Sequence, residues 1–204
     1  YADGTSLTNE FYPSGELKRT YGSRTYPVGY GYSPQGRLTT MTNWMTFDPA
    51  GAGSGARVTT WEYDTVRGWL KKKIYAGETD STTDYDYKSS GRLWKRYWER
   101  GVTATYTYNN AGDLSTLVYS DGTTPNLTND YDRRGRRSTV YQGTNTTTFV
   151  YDDASQLLRE SHTAGVLSGL WITNSYDAYL RRSRLYANTA PAFTNLYGYD
   201  TASR

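Results

Sequence analysis

The sequence predicts an all-β protein built of tandem β-hairpin repeats that stack side by side in solenoid fashion. Three observations carry this. The composition is rich in strand formers and poor in aliphatics: 22 Tyr, 6 Trp and 4 Phe against a hydrophobic content of only 36%. Large rings therefore replace Leu and Ile as the apolar material, each bringing a hydroxyl or indole N–H that needs a partner. A short phrase recurs along the whole chain: an aromatic, a small polar residue, two variable positions, Gly, one variable position, Leu. The segments leading into it alternate, as in Thr105-Tyr106-Thr107-Tyr108, which is the period of a half-buried strand.

The copies run as follows. FYPSGEL spans Phe11 to Leu17 and YSPQGRL spans Tyr32 to Leu38; YDTVRGWL, from Tyr63 to Leu70, carries one extra residue. YKSSGRL (Tyr87 to Leu93) and YNNAGDL (Tyr108 to Leu114) complete the strict set. Later copies loosen. YDRRGRR keeps Gly135 but has Arg137 at the Leu position, YDDASQL replaces the glycine with Ser155, and YDAYLRR keeps only Tyr176-Asp177. A ninth copy opens at Tyr199-Asp200. The leading aromatics at 11, 32, 63, 87, 108, 131, 151, 176 and 199 are separated by 21, 31, 24, 21, 23, 20, 25 and 23 residues. A period of this size is the signature of a repeat architecture.

Each phrase reads as a hairpin tip. The Asp or Asn accepts backbone N–H bonds just ahead and starts a turn. The glycine supplies the positive-φ position of a short loop closed by a G1 bulge. The Leu, and aromatics four or five residues beyond it (Tyr21, Tyr75, Tyr97, Tyr119, Tyr141), are expected on the same inner face as the leading rings. One such hairpin is marginal in water, so stability requires stacking on like neighbours. The longest interval contains Gly51-Ala52-Gly53-Ser54-Gly55, and residues 43–60 are expected to be an inserted loop. No Lys-Ser/Thr follows these glycines, so a phosphate-binding loop is not expected. No domain boundary is evident, and residues 1–204 read as one repeat region of about eight units and a partial ninth.

Tyr63-Asp64, Tyr131-Asp132-Arg133-Arg134-Gly135-Arg136 and Tyr151-Asp152 carry a family resemblance that extends from Phe11 to Tyr199. The sequence resembles the YD-repeat or Rhs-repeat family, found in bacterial Rhs and insecticidal toxin-complex proteins, wall-associated proteins and the teneurins. The resemblance implies hairpins wound into a spiralling, curved sheet that can close as a shell around a toxic C-terminal segment. It also implies that Gly15, Gly36, Gly68, Gly91, Gly112 and Gly135 are tip glycines. Tyr32, Tyr63, Tyr87, Tyr108, Tyr131, Tyr151 and Tyr176 would be ladder tyrosines. The family's C-terminal core with its self-cleaving aspartates is not recognisable here, and nine units make a fraction of a shell. The chain therefore reads as a segment of a larger protein.

No complete catalytic, cofactor or metal site is expected. There is no cysteine, which excludes disulfides and thiolate zinc sites. His162, the single histidine, has Ser161, Ser155 and Asp152 nearby in sequence, but no nucleophile-elbow phrase. Asp80, Asp84 and Asp86, and likewise Asp130 and Asp132, lack the ordered spacing of a calcium loop. Glu62, Glu78, Glu99 and Glu160 stand in no distinctive context for paired-carboxylate chemistry. Arg133, Arg134, Arg136 and Arg137, and Lys71 to Lys73, flank turns; with a net charge of +3 they predict solvated tips rather than a nucleic-acid face. Trp94 and Trp98 read as packing residues, with a glycan platform as the alternative. Asn126-Leu127-Thr128 and Asn145-Thr146-Thr147 match the N-glycosylation pattern.

The expected function is non-enzymatic: scaffold in a secreted, cell-surface or toxin-delivery protein. Its partners would be the rest of its own polypeptide and an enclosed C-terminal toxin segment. The alternatives are an adhesion surface for a cell-surface protein or glycan, and a filament self-associating through sheet edges. No apolar run approaches 18 residues and no basic-then-apolar leader follows Tyr1, so neither membrane span nor signal peptide is expected in this segment.

Overall fold

A computed structural model describes residues 1–48, 53–75 and 82–202. The chain divides into two compact units, residues 1–103 and 104–204. Both are antiparallel and all-β, as the sequence predicts.

The first unit contains β1 (Thr8–Phe11), β2 (Leu17–Gly22), β3 (Thr25–Tyr32), β4 (Leu38–Asn43), β5 (Arg57–Tyr63), β6 (Leu70–Ile74), β7 (Thr82–Tyr87) and β8 (Leu93–Trp98). The second contains β9 (Thr103–Tyr108), β10 (Leu114–Tyr119), β11 (Leu127–Tyr131), β12 (Arg137–Gln142), β13 (Asn145–Tyr151), β14 (Leu157–Ala164), β15 (Trp171–Tyr176), β16 (Arg182–Ala187) and β17 (Phe193–Leu196). Within each unit, every strand pairs with its neighbours in sequence, β1 to β8 and β9 to β17. This nearest-neighbour meander is the solenoid-like arrangement expected of stacked hairpins.

Eight of the nine leading aromatics pair with the Leu position of their phrase: Phe11 with Leu17, Tyr32 with Leu38, Tyr63 with Leu70, Tyr87 with Leu93, Tyr108 with Leu114, Tyr131 with Arg137, Tyr151 with Leu157 and Tyr176 with Arg182. A bulge follows in each hairpin at that pair, so the register slips by one residue there. Beyond the bulge, a residue five places after the Leu position shares the face of the ladder tyrosines, and one four places after it lies on the opposite face. Tyr75 and Tyr119 are at five. Tyr119 stands opposite Ala104, in line with Tyr106 and Tyr108.

Tyr21, Tyr97 and Tyr141 are at four and face the other way: Tyr97 lies opposite Asp84 and donates its hydroxyl to Asp86 Oδ2 at 2.8 Å. The expectation of one inner face for all five tyrosines is corrected accordingly. Sequence spacing counted from Leu did not include the bulge.

The core is thin and lies on the ladder face. The buried side chains there are small: Thr59, Thr83, Ala104, Asn129, Asn174 and Ala187. Their cross-strand neighbours are mixed: Ala104 stands opposite Tyr119 and Thr83 opposite Trp98, whereas Ala187 faces Ile172, Asn174 faces Leu185 and Asn129 faces Val140.

Residues 43–60 are not a plain insertion. Asn43 closes β4, Arg57 opens β5, and the two are paired. Between them Thr46 and Ser54 form a further antiparallel bridge, with Ser54 N donating to Thr46 O at 2.9 Å. This base folds onto the face opposite the ladder. Trp44 lies over Gly29, where an added Cβ would stand 2.7 Å from Trp44 Cη2. Its ring packs on Phe47 at 5.2 Å, and Phe47 packs on Tyr21 at 5.1 Å. Gly51 and Ala52 of the glycine run lie outside the described residues.

Candidate functional site

Among the described residues the hairpin tips recur with fixed geometry. In each tip the residue after the ladder aromatic accepts a backbone bond from the residue at the glycine position and donates one across the loop. Gly91 N donates to Lys88 O at 2.9 Å and Lys88 N to Arg92 O at 2.9 Å. The same pair of bonds closes the turns at Gly15, Gly36, Gly112 and Gly135, and at Ser155 and Leu180. The turn at Gly68 is one residue wider, which accommodates the extra residue of YDTVRGWL. The tip glycines have φ between 70° and 97°, while Ser155 and Leu180 take the same left-handed conformation at 66° and 63°. YDAYLRR thus keeps the whole turn and not just its first two residues. Sequence comparison missed it because hydrogen bonding defines this turn, and a leucine can be forced into it.

The aspartates cap these turns from within. Asp132 Oδ1 accepts from Arg134 N at 2.8 Å and Arg136 N at 3.0 Å, while Oδ2 accepts from Arg136 Nε at 2.7 Å. Asp177 repeats the arrangement with Tyr179 N, Arg181 N and Arg181 Nε. Burial pushes both carboxyls up, but hydrogen bonds led by the backbone N–H of Arg136 or Arg181 outweigh it and hold them below the usual range. Asp121, in the connection between β10 and β11, is lowered to about 2 by the Thr124 hydroxyl and backbone N–H. A carboxylate whose folded value is depressed stabilises the fold above its unfolded value near 3.8. That contribution is lost as pH falls through about 2. The urea midpoint is therefore expected to hold from pH 7 to pH 5 and to drop between pH 4 and roughly pH 2. Thr124→Val should return the Asp121 carboxyl, followed by NMR, towards 3.8.

Two further contacts join one hairpin to the next. Ladder tyrosines donate their hydroxyls to the carbonyl at the Leu position of the preceding hairpin: Tyr63 to Leu38 at 2.7 Å, Tyr131 to Leu114 at 2.8 Å, Tyr176 to Leu157 at 3.0 Å and Tyr199 to Arg182 at 2.7 Å. A bulge disrupts the strand ladder and leaves such a carbonyl in need of a donor. At Leu114 and Leu157 the buried amides of Asn129 and Asn174 donate to the same oxygen.

In four hairpins the residue after the tip position, read from sequence as variable, reaches forward to the next tip. Arg136 donates to Asp152 O at 3.0 Å and lies 4.6 Å from the Tyr151 ring. Trp69 stacks on Tyr87 at 5.1 Å, Gln156 donates to Leu180 O at 2.7 Å, and Arg181 lies 4.4 Å from the Tyr199 ring. The chemistry varies because a cation, an amide and an indole can each bridge to the next tip, three of the four onto its ladder ring.

The other candidates fall into place on this frame. Asp152 and Ser155 sit at a tip, whereas His162 stands opposite Thr147, four residues up the strand from Tyr151 and so roughly 13 Å away. Ser161 is on the other face from His162. His162 instead meets Thr147 Oγ1 at 3.1 Å and Glu160 Oε1 at 3.5 Å. Among the described residues no group of three His, Asp or Glu side chains is placed to hold a metal. Asp84 stands beside Lys72, and Glu62 lies opposite the same lysine. Asp130 pairs with Thr139, and Glu99 N donates to Thr82 O. Asp80 and Glu78 lie outside the described residues.

The basic runs are dispersed. Arg134 and Arg136 are bound to the neighbouring tip, Lys72 faces acids, and Lys73 lies on the ladder face between Trp61 at 5.2 Å and Tyr75 at 4.6 Å. Trp98 is flanked by Arg96 and Arg100, and Trp94 is 40% exposed beside Lys95. The side-chain oxygens of Asn126 and Asn145 already accept backbone bonds from Tyr119 and Val166. No helix of the described residues is long and apolar enough to cross a membrane.

No family model and no curated protein matches this sequence. Solved structures do. A Tc holotoxin pore of Photorhabdus luminescens aligns over 97% of this chain with a TM-score of 0.58 and 14% identity. TcdB2-TccC3 without its hypervariable C-terminal region aligns over 96% with a TM-score of 0.56 and 15% identity. TcdB2-TccC3 itself aligns over 94% with a TM-score of 0.52 and 12% identity. The chain shares their fold. It spans 12%, 12% and 13% of those chains, respectively.

Proposed function

We propose that this chain is wall material of the YD-repeat or Rhs type, one continuous repeat region in a larger exported bacterial protein, and that the wall encloses a polypeptide cargo. The observation that carries the reading is the joint between hairpins. The tips at Gly68, Gly135, Ser155 and Leu180 are each stapled forward by the residue that follows, and ladder tyrosines hook back to the preceding Leu position. Such joints let a sheet extend by identical steps, which is what a wall needs and an active site does not. The shared fold with Tc-toxin structures supports it, as does the hypervariable C-terminal region carried by one of those proteins. A chain spanning 12% of those structures would supply part of the wall, and the remainder of the polypeptide would be its partner.

The test is limited proteolysis of the full-length protein from which the segment comes. The parts outside the repeats should resist protease in the intact protein. They should become cleavable when Gly91→Val and Gly112→Val together loosen the wall. Digestion of those parts at the rate of a free chain in the intact protein would overturn the proposal.

A further inference from the structure

On the face opposite the ladder, the second unit carries a four-membered stack across three adjacent strands. Arg159 on β14 lies 4.8 Å from the Trp171 ring on β15. Trp171 packs on Tyr186 of β16 with centroids 5.1 Å apart and planes tilted by 39°. Arg184 on β16 closes the stack 5.1 Å from the Tyr186 ring. The register puts them on one face: Arg159 opposite Thr173, Thr173 opposite Tyr186, and Ser161 opposite Trp171. Both rings are half-buried and both arginines exposed.

A guanidinium held over a ring face by cation–π attraction can still offer N–H donors to a bidentate acceptor. Among the described residues no acceptor takes them. Neither arginine forms an ion pair among the described residues, and no Asp or Glu stands on that face from β13 to β17. Elsewhere on the same faces cations are answered by acids, as Arg19 is by Glu10 at 2.6 Å. Two strands and two residues separate Arg159 from Arg184, roughly 12 Å between backbones.

We infer that this stack binds an anionic polysaccharide, with the two guanidiniums gripping carboxylates on separate sugar residues and the Thr173 and Ser161 hydroxyls facing the sugars between them. The shape selects the class. β14, β15 and β16 are paired on both sides, so no strand edge is open to an extended peptide. Two unpaired cations are too few for the multiple phosphate contacts on which nucleic-acid affinity rests. A flat, hydroxylated face with half-buried rings suits a chain of sugars lying across the strands. The inference holds whether or not the repeats enclose a cargo.

The experiment is calorimetric titration of the whole chain with polygalacturonate, its fully methyl-esterified neutral form, polyglutamate and a single-stranded oligonucleotide. Polygalacturonate is expected to bind, and its neutral ester to bind at least tenfold more weakly. Arg159→Gln and Arg184→Gln should each weaken binding at least fivefold with the melting temperature unchanged, and Arg159→Lys should restore only part of the loss. Arg133→Gln, at a distant exposed tip, should have no effect. The inference is overturned if polygalacturonate does not bind, if Arg133→Gln weakens it equally, or if polyglutamate or the oligonucleotide binds as tightly.

Discussion

Gly91→Val is expected to destabilise the first unit by about 1–3 kcal/mol, because a β-branched residue must then hold a left-handed φ of 84°. A second effect adds to this strain. The new Cβ would stand 3.0 Å from Trp69 Cζ2, on the indole that staples the preceding tip to Tyr87. Gly135→Val separates the two. Gly135 has the same kind of turn at φ 76°, but an added Cβ there meets nothing within 4 Å. Both variants should lose the conformational term, and only Gly91→Val should also change tryptophan fluorescence. Thermal melts are the direct readout, at about 2–4 °C per kcal/mol for a chain of this size. Equal melting of Gly91→Val and the parent would remove the hairpin-tip account.

Leu180→Gly is expected to raise stability. Leu180 occupies the tip position at φ 63° and is 60% exposed, so its side chain contributes little burial to set against the strain. Relief of a left-handed non-glycine residue amounts to about 1–2 kcal/mol. The extra freedom of glycine in the unfolded chain takes back about 0.4–1 kcal/mol. A net gain of about 0–1.6 kcal/mol follows, centred near 0.8. The carbonyl that accepts the Gln156 amide is backbone and survives the change. Leu180→Ile, by contrast, should lower the melting temperature, since branching at Cβ worsens the same clash. A Leu180→Gly variant that melts below the parent would show that the leucine is held there by something other than the turn.

The tips were legible in the sequence because glycine is nearly obligatory where φ is positive and its spacing survives divergence around it. Leu180 shows the limit of that signal. The backbone keeps the turn through the Asp177 cap and two main-chain bonds, neither of which needs glycine. The position after the glycine was invisible for the opposite reason. Arg136, Trp69 and Gln156 do the same bridging with unrelated chemistry, so comparing copies finds no common residue. The Arg159–Trp171–Tyr186–Arg184 stack could not be read either, because its members lie on three strands and meet only through register. The sides taken by Tyr21, Tyr97 and Tyr141 were misread because a bulge consumes one residue that a simple alternation counts.

That same bulge makes the return strand an addressing device. Losing or gaining one codon between the Leu position and the following aromatic would move the ring from one surface to the other while the turn, cap and hydroxyl hook stay as they are. Small insertions and deletions there would redraw what either surface presents, with no redesign of the joints that hold successive hairpins together.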